Sequence, residues 1–249
     1  MNTIKWFGFL IVLVVAAGSV QATPIGMDAA DNYSTATWTN TSNEGSGFGA
    51  WDLFSDATAG FFVFDSTEHG HGDINTTDVA FGLFGNDNGY ANAQRAITDW
   101  DDEYTFRIDM TFRFRDGARG LSLFDDNGFA PGDEIWNFNV DNSGYGFTDW
   151  AFQGDMVIEF AITQDGSDLL IDVAGSSASG AWSATTNTTL SAVGTLGGFR
   201  AYSGSPEDDG NNDQRNTYFN NLEVIPEPGA MAMFIIGLAG LLGVRRFRK

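Results

Sequence analysis

The sequence predicts an all-β fold, two sheets packed as a jelly roll, and three observations point to it. From residue 33 onward the chain is a succession of short alternating runs broken by Gly, Asn, Asp and Ser, the pattern of strands and turns. Tyr104 to Arg115 alternates strictly. Tyr104, Phe106, Ile108, Met110, Phe112 and Phe114 interleave with Thr105, Arg107, Asp109, Thr111, Arg113 and Arg115, so one face is core and the other solvated. Between the two apolar ends no stretch carries a helical period of useful length. About a dozen strands in roughly 200 residues suit two stacked sheets.

Taken in order, Thr35 to Thr39 is a first strand around Trp38. A polar loop, 40–47, leads into Gly47-Phe48-Gly49-Ala50-Trp51. Gly60 to Asp65 carries Phe61, Phe62, Val63 and Phe64, apolar on both faces, which predicts a central strand. Ser66 to Thr77 is a polar loop and Asp78 to Phe84 the next strand. Gly120 to Asp125 is predicted to pair beside Tyr104–Arg115 through an Asp116-Gly117 turn. Glu134 to Asp141 sets Trp136, Phe138 and Val140 against Ile135, Asn137 and Asn139, and Tyr145 to Trp150 is a short aromatic strand. Asp155 to Thr163 points Met156, Ile158, Phe160 and Ile162 inward, and Asp165-Gly166 turns it into Leu169–Val173. Gly180–Thr185, Gly197–Tyr202 and Thr217–Val224 complete the set. In the last, the apolar positions change phase, which predicts a bulge.

Both ends read as address labels. Met1 to Ala22 has the form of a secretory signal peptide: Lys5, an apolar core from Trp6 to Ala17, and the small-residue site Val20-Gln21-Ala22. The expected mature chain begins at Thr23. At the other end, Pro226, Glu227 and Pro228 form an extended spacer of the kind a protease or transpeptidase grips. Gly229 to Val244 carries no charge and makes a helix of about 24 Å. That is short of a hydrocarbon core of roughly 30 Å unless the flanking side chains snorkel. Arg245, Arg246, Arg248 and Lys249 form a basic stop expected on the cytoplasmic side. The three parts in this order resemble the PEP-CTERM sorting tail of Gram-negative, exopolysaccharide-producing bacteria. The resemblance implies recognition by an exosortase, an integral-membrane cysteine transpeptidase, and removal of the helix, with these residues as substrate. The chain then divides into a signal peptide (1–22), a β-sandwich (23–225) and a sorting tail (226–249), with the membrane and the transpeptidase as partners.

The body holds 32 carboxylates against seven arginines and no lysine, a net charge of −25. Such a surface repels nucleic acid and anionic polymers and favours divalent cations. There is no cysteine, so neither disulfides nor a lipid anchor hold the exported chain. The order of elements resembles a concanavalin-A-like lectin and glucanase sandwich, with Tyr218-Phe219-Asn220-Asn221-Leu222-Glu223-Val224 typical of the closing strand. Gly47–Trp51, Phe81-Gly82-Leu83-Phe84 and Ala93-Gln94-Arg95 are similar to an uncharacterised group of PEP-CTERM proteins, a likeness that brings no chemistry with it.

Retaining glucanases of that fold carry Glu-x-Asp-x-Glu, or a version one residue longer, on one strand, which sets an acid pair on one face. No such motif occurs here, and Glu134 and Glu159 stand alone on their strands. With only His69 and His71 available there is no persuasive Ser-His-Asp order. The sequence therefore predicts no enzyme; a glycoside hydrolase with an unrecognised acid pair is the alternative. His69, His71 and Asp73 would share a face if extended and so suit a transition metal, but Gly70 and Gly72 between them point to a solvated loop. Asp208, Asp209, Asn211 and Asp213 have the oxygen density that calcium takes, as does the stretch from Asp125 to Glu134, although Asn and Asp also build ordinary turns. Trp51, Trp100, Trp150 and Trp182 lie at or near loop edges and are candidates to stack on sugar rings; the alternative for each is a core plug. The expected function is an exported, non-enzymatic envelope or matrix protein, structural or binding exopolysaccharide. A self-associating matrix component with no small ligand is a third class.

Overall fold

The structure, a computed structural model, describes residues 22–98, 100–126, 128–130, 132–190, 194–204 and 212–226. The predicted signal peptide up to Gln21 and the predicted sorting tail beyond Pro226, with its helix and basic stop, lie outside the described residues.

The body forms the expected all-β sandwich of two antiparallel sheets. One contains β1 (Gly26–Asp28), β3 (Ala59–Phe64), β4 (Ala80–Gly85), β6 (Tyr104–Phe112), β10 (Val157–Asp165), β11 (Asp168–Ser177), β12 (Gly180–Thr189) and β14 (Thr217–Pro226). The other contains β2 (Asp52–Ser55), β5 (Tyr90–Ala96), β7 (Ala118–Asp125), β8 (Glu134–Asp141), β9 (Gly144–Tyr145) and β13 (Leu196–Gly204). The first runs β12-β11-β10-β6-β14-β4-β3, with β1 added beside β14; the second runs β2-β5-β13-β7-β8-β9.

Alternation builds the core. Phe106, Ile108 and Met110 of β6, Ile158, Phe160 and Ile162 of β10 and Leu169 and Ile171 of β11 are fully buried. Gly166 turns β10 into β11 at φ 60°, a left-handed geometry that favours glycine. Across the interface Phe106 stacks on Phe199 of β13 with centroids 5.0 Å apart, and Phe160 meets Phe138 of β8 edge-on at 4.9 Å. Trp38 and Trp51 pack edge-to-face at 5.5 Å beneath them. Each such aromatic pair adds about 1 kcal/mol beyond its buried area.

Without disulfides, a buried ion pair ties the sheets together. Asp28 of β1 accepts from Arg95 of β5, and both side chains are fully buried. Asp28 also accepts from the Tyr33 hydroxyl at 2.9 Å and the Asn32 amide at 3.1 Å. The Arg95 Nε–H donates to the Gly49 carbonyl at 2.7 Å, and its guanidinium lies 4.7 Å from the Trp51 ring centre. A charge pair with its remaining lone pairs and protons satisfied tolerates burial; loss of one partner does not.

Several sequence expectations are corrected. Thr35–Thr39 is a turn followed by irregular chain, although Trp38 is buried. Tyr145–Trp150 is strand only at Tyr145. Gly60–Asp65 corresponds to β3, which lies at the sheet edge and not at its centre. Its outer face is apolar but only partly covered, with Phe62 half-buried and Phe64 42% exposed. Phe64 stacks with His69 at 6.0 Å, and Phe62 meets Tyr218 edge-on at 5.6 Å. β7 does not pair with β6. The Asp116-Gly117 turn instead carries the chain into the other sheet, where β7 lies between β13 and β8. Asp116 pins that crossing through ion pairs to Arg119 and Arg215. The predicted bulge in β14 is present as a register shift between Asn220 and Glu223, with Asn221 at φ 55°. The Asn220 amide fills the gap, donating to the carbonyls of Ile74 and Val79 and accepting from the Ala30 N–H.

Candidate functional site: the outer face of the six-stranded sheet

Strands whose inward residues are apolar must send alternate residues outward. On the six-stranded sheet the outward set is mostly amides, hydroxyls and aromatic rings. Register aligns it in two rows across four strands. Gln94 of β5 stands opposite Arg200 of β13, Arg200 opposite Ser122 of β7, and Ser122 opposite Asn137 of β8. The neighbouring row is Asn92, Tyr202, Gly120 and Asn139. At the usual strand spacing each row spans about 15 Å.

The groups hold one another in place. Arg200 Nε–H donates to Gln94 Oε1 at 2.7 Å, and the Gln94 amide donates to Asp52 of β2 at 2.6 Å. The Arg200 guanidinium lies 4.5 Å from the Phe124 ring centre and donates to the Phe129 carbonyl at 3.0 Å. The Asn137 amide donates to Ser122 Oγ at 2.9 Å and to Tyr202 Oη at 3.0 Å; Tyr202 Oη donates to Asn139 Oδ1 at 3.1 Å. Tyr90 stacks on Tyr202 at 6.3 Å. Burial pushes both phenols above their ordinary pKa, so both keep their protons at neutral pH. Gly120 leaves room for the Tyr202 hydroxyl; a Cβ there would run into the Phe138 carbonyl. Asn137 is exposed and Asn92, Gln94, Asn139 and Arg200 are half-buried, so the rows keep donors and acceptors toward solvent.

The outer face of the eight-stranded sheet is ionic. Asp109 of β6 stands opposite Glu159 of β10, with Glu223 of β14 close by. Burial, then the two neighbouring carboxylates, push the Asp109 carboxyl up to about 6, against the hydrogen bond it accepts from Asn221 at 2.7 Å. An open recess of about 310 Å³ where β1 meets β14 is lined by Asp31, Asn32, Asn221 and Glu223 among others.

The predicted site residues fare differently. Trp51 is 1% exposed within the core and Trp150 is 9% exposed, so neither ring has a face open to a sugar. Trp100 is half-buried and donates its indole N–H to Gln164 at 2.7 Å. Trp182 is half-buried on the inward side of β12. Gln164 lies six positions along β10 from Ile158, and Ile158 and Trp182 are both level with Gly175. The two open tryptophans are therefore about 20 Å apart and form no common platform. His71 is not in a solvated loop. It is 4% exposed, packed edge-on against Tyr218 at 4.8 Å, with Nε2–H donating to the Asn216 carbonyl at 3.0 Å. Burial pushes its pKa down to about 3, so it is neutral. Asp208, Asp209 and Asn211 lie outside the described residues, and Asp213 falls in the short 3-10 helix Asn212–Arg215. Among the described residues no three carboxylates or imidazoles converge as a metal-ligand set. Pro226 is the last residue of β14, opposite Tyr104; Glu227, Pro228 and the basic stop lie outside the described residues.

No protein-family model matches the chain, and no curated protein matches it in sequence. Among solved structures it is similar to arcelin-5, a lectin-like defence protein from Phaseolus vulgaris (12% identity, 70% of this chain and 96% of that one, TM-score 0.37). It is similar also to the carbohydrate recognition domain of Emp46p in a metal-free form (10%, 71% and 88%, TM-score 0.35). A third is winged bean acidic lectin complexed with methyl-α-D-galactose (10%, 70% and 97%, TM-score 0.36). Similarity at this level does not transfer a ligand.

Proposed function

We propose that this chain is an exported, non-enzymatic envelope or matrix protein that binds a glycan, the producing cell's own exopolysaccharide, across the outer face of its six-stranded sheet. The observation that carries the reading is the pair of aligned rows, Gln94–Arg200–Ser122–Asn137 and Asn92–Tyr202–Gly120–Asn139. Fixed amides and hydroxyls match the alternating hydroxyls of a sugar chain, and the half-buried Tyr90 ring, stacked over the buried Tyr202, offers a surface to its C–H faces. The net charge of −25 on the body disfavours a polyanion, so the polysaccharide taken is a neutral one. Export rests on the signal-peptide pattern of residues 1–22, and sorting by an exosortase on the tail from Pro226 to Lys249.

Retention of the chain on immobilised exopolysaccharide, and on an array of neutral glycans, tests the binding. Asn137→Ala combined with Asn139→Ala is expected to weaken retention at least about tenfold, the loss of two polar contacts. No retention by the wild type, or equal retention by the variant, sinks the reading. The mass of the mature chain tests the rest: it should begin at Thr23 and lack the basic stop.

One observation favours a second reading. Asp109 and Glu159 are cross-strand neighbours, and Asp109 carries a proton up to about pH 6. A raised acid beside a second carboxylate is what a retaining glycoside hydrolase requires. Release of reducing sugar that disappears in both Asp109→Asn and Glu159→Gln would favour it over simple binding.

A further inference from the structure

An arginine buried between two sheets needs a counter-charge and acceptors for its N–H groups. Arg95 has them: the Gly49 carbonyl, Asp28 and the Asn43 amide oxygen engage Nε, Nη1 and Nη2 in turn. Arg119 is equally buried, with no exposed surface, and is served differently. Its Nη1 donates to the Phe114 carbonyl at 2.9 Å and to Asp116 Oδ1 at 3.4 Å, and Asp116 is shared with Arg215. Nε and Nη2 meet no acceptor among the described residues. Burial pushes the Arg119 pKa down to about 10, so the group is charged at neutral pH. Arg113 and Arg119 both add to the depression of the His71 pKa, the mark of a locally positive field in an acidic chain.

The two free nitrogens are a functional pair. Nε–H and Nη2–H point the same way from one edge of the planar guanidinium, and that edge grips two oxygens of a single carboxylate, sulfate or phosphate group. Further donors lie beside it. β7 alternates, so Arg119 points inward with Leu121 and Leu123. Ser203 of β13 stands directly opposite and points inward with Phe199 and Ala201; Cβ atoms of such a pair are about 5 Å apart. Thr217, the first residue of β14, points inward from the other sheet with Phe219. The sheets converge here. A Cβ on Gly85 of β4 would lie 3.0 Å from the Gly204 Cα; Gly204 follows Ser203, and Leu83, two residues before Gly85, is level with Thr217. The Ser203 and Thr217 hydroxyls are fully buried and make no hydrogen bond among the described residues.

We propose that Arg119, Ser203 and Thr217 hold a small oxyanion between the two sheets, two of its oxygens on the Nε–Nη2 edge of the guanidinium and the hydroxyls on the remainder. The fork sets the chemical class: a halide offers one atom to two N–H groups, whereas an oxyanion offers two. Enclosure sets the size. None of the three side chains is exposed, so the occupant is an ion no larger than sulfate, phosphate or formate, and not a charged polymer. The site is thus compatible with a net charge of −25 that turns polyanions away from the surface. It is also independent of glycan binding, which uses the outward residues of the same strands.

Equilibrium dialysis of the full-length chain in detergent against labelled sulfate, phosphate or formate, each in excess chloride, tests this. The wild type is expected to take up one ion per chain from at least one of the three. Arg119→Lys keeps the charge and removes the fork; it should weaken uptake at least about tenfold, with an unchanged β-sheet circular dichroism spectrum. Should the lysine variant fail to fold, Ser203→Ala with Thr217→Val decides, since it leaves Arg119 in place and removes both hydroxyls, again at a cost of at least about tenfold. Stronger binding of sulfate and phosphate than of formate would identify a tetrahedral ion, and the reverse order a planar carboxylate. A wild type that takes up none of the three, or folded variants that take up as much as the wild type, overturns the proposal.

Discussion

The two outer faces of the sandwich solve the same problem differently. Both must offer polar groups to water. The six-stranded sheet does so with amides, phenols and an arginine that bond to one another. The eight-stranded sheet crowds Asp109, Glu159 and Glu223 together, and beside them a folded-back segment buries His71. The first arrangement is indifferent to pH and organised before any ligand arrives. The second contains groups whose protonation is coupled to folding. A fixed, pre-organised surface suits recognition, whereas a titrating one responds to its surroundings.

The largest expected effect comes from removing the joint between the two sheets. Arg95→Met leaves Asp28 buried without its cation and should cost about 3–5 kcal/mol in chemical unfolding. Loss of less than about 1 kcal/mol would show that the sheets are held by aromatic packing alone.

The pH responses of the eight-stranded face come next. His71 has a folded pKa of about 3 against an ordinary 6.5. Its neutral burial stabilises fully above pH 6.5, and that contribution is lost as pH falls from 6.5 toward 3, reaching on the order of 3 kcal/mol near pH 4. His71→Gln keeps a donor for the Asn216 carbonyl and should flatten this acid limb in melts recorded from pH 7 to 4. Asp109 has the opposite sign. Its folded pKa, about 6, lies above the ordinary 3.8, so the folded state holds its proton more tightly and stability falls as pH rises from about 4 to 6. Asp109→Asn should therefore stabilise by about 2 kcal/mol at pH 7 and have little effect below pH 4. A stabilisation that does not vary with pH would assign the effect to packing. The smallest effect belongs to the six-stranded face: Asn137 is exposed, so Asn137→Ala should change stability by only about 0.5 kcal/mol, with no pH dependence, while weakening glycan retention.

The elements legible in the sequence were those whose neighbours in the chain are also neighbours in space. The β10–β11 hairpin and β6 could be read from alternation and from Asp165-Gly166. β5 could not. Its inward residues include Ala91 and Ala93, small side chains in a core already occupied by Trp51 and Phe199, so the strand lacks the bulky alternation that marks the others. β2 and β1 are too short to show a period. The polar rows were illegible for a related reason. They draw on β5, β13, β7 and β8, and only register between strands distant in the chain brings Asn92, Tyr202 and Asn139 level. Trp51 reads from the sequence as a rim residue because Gly49 and Ala50 beside it look like a loop. What turns it inward is contact with Trp38 and Arg95, which local sequence does not encode. The edge position of β3 is hidden because its outer face carries Phe62 and Phe64 although it is only partly covered, Phe62 by Tyr218 of β14 and Phe64 by His69 while staying 42% exposed.

The last strand in chain order among the described residues, β14, is not at a margin. It lies between β6 on one side and β4 and β1 on the other, so the larger sheet stays in two pieces until Thr217–Pro226 arrives. Contacts of such long sequence separation form slowly and late. Any machinery that delivers this chain from its N-terminus must therefore handle an unfinished domain until residue 226, and the ten residues of β14 act as the keystone on which the rest locks.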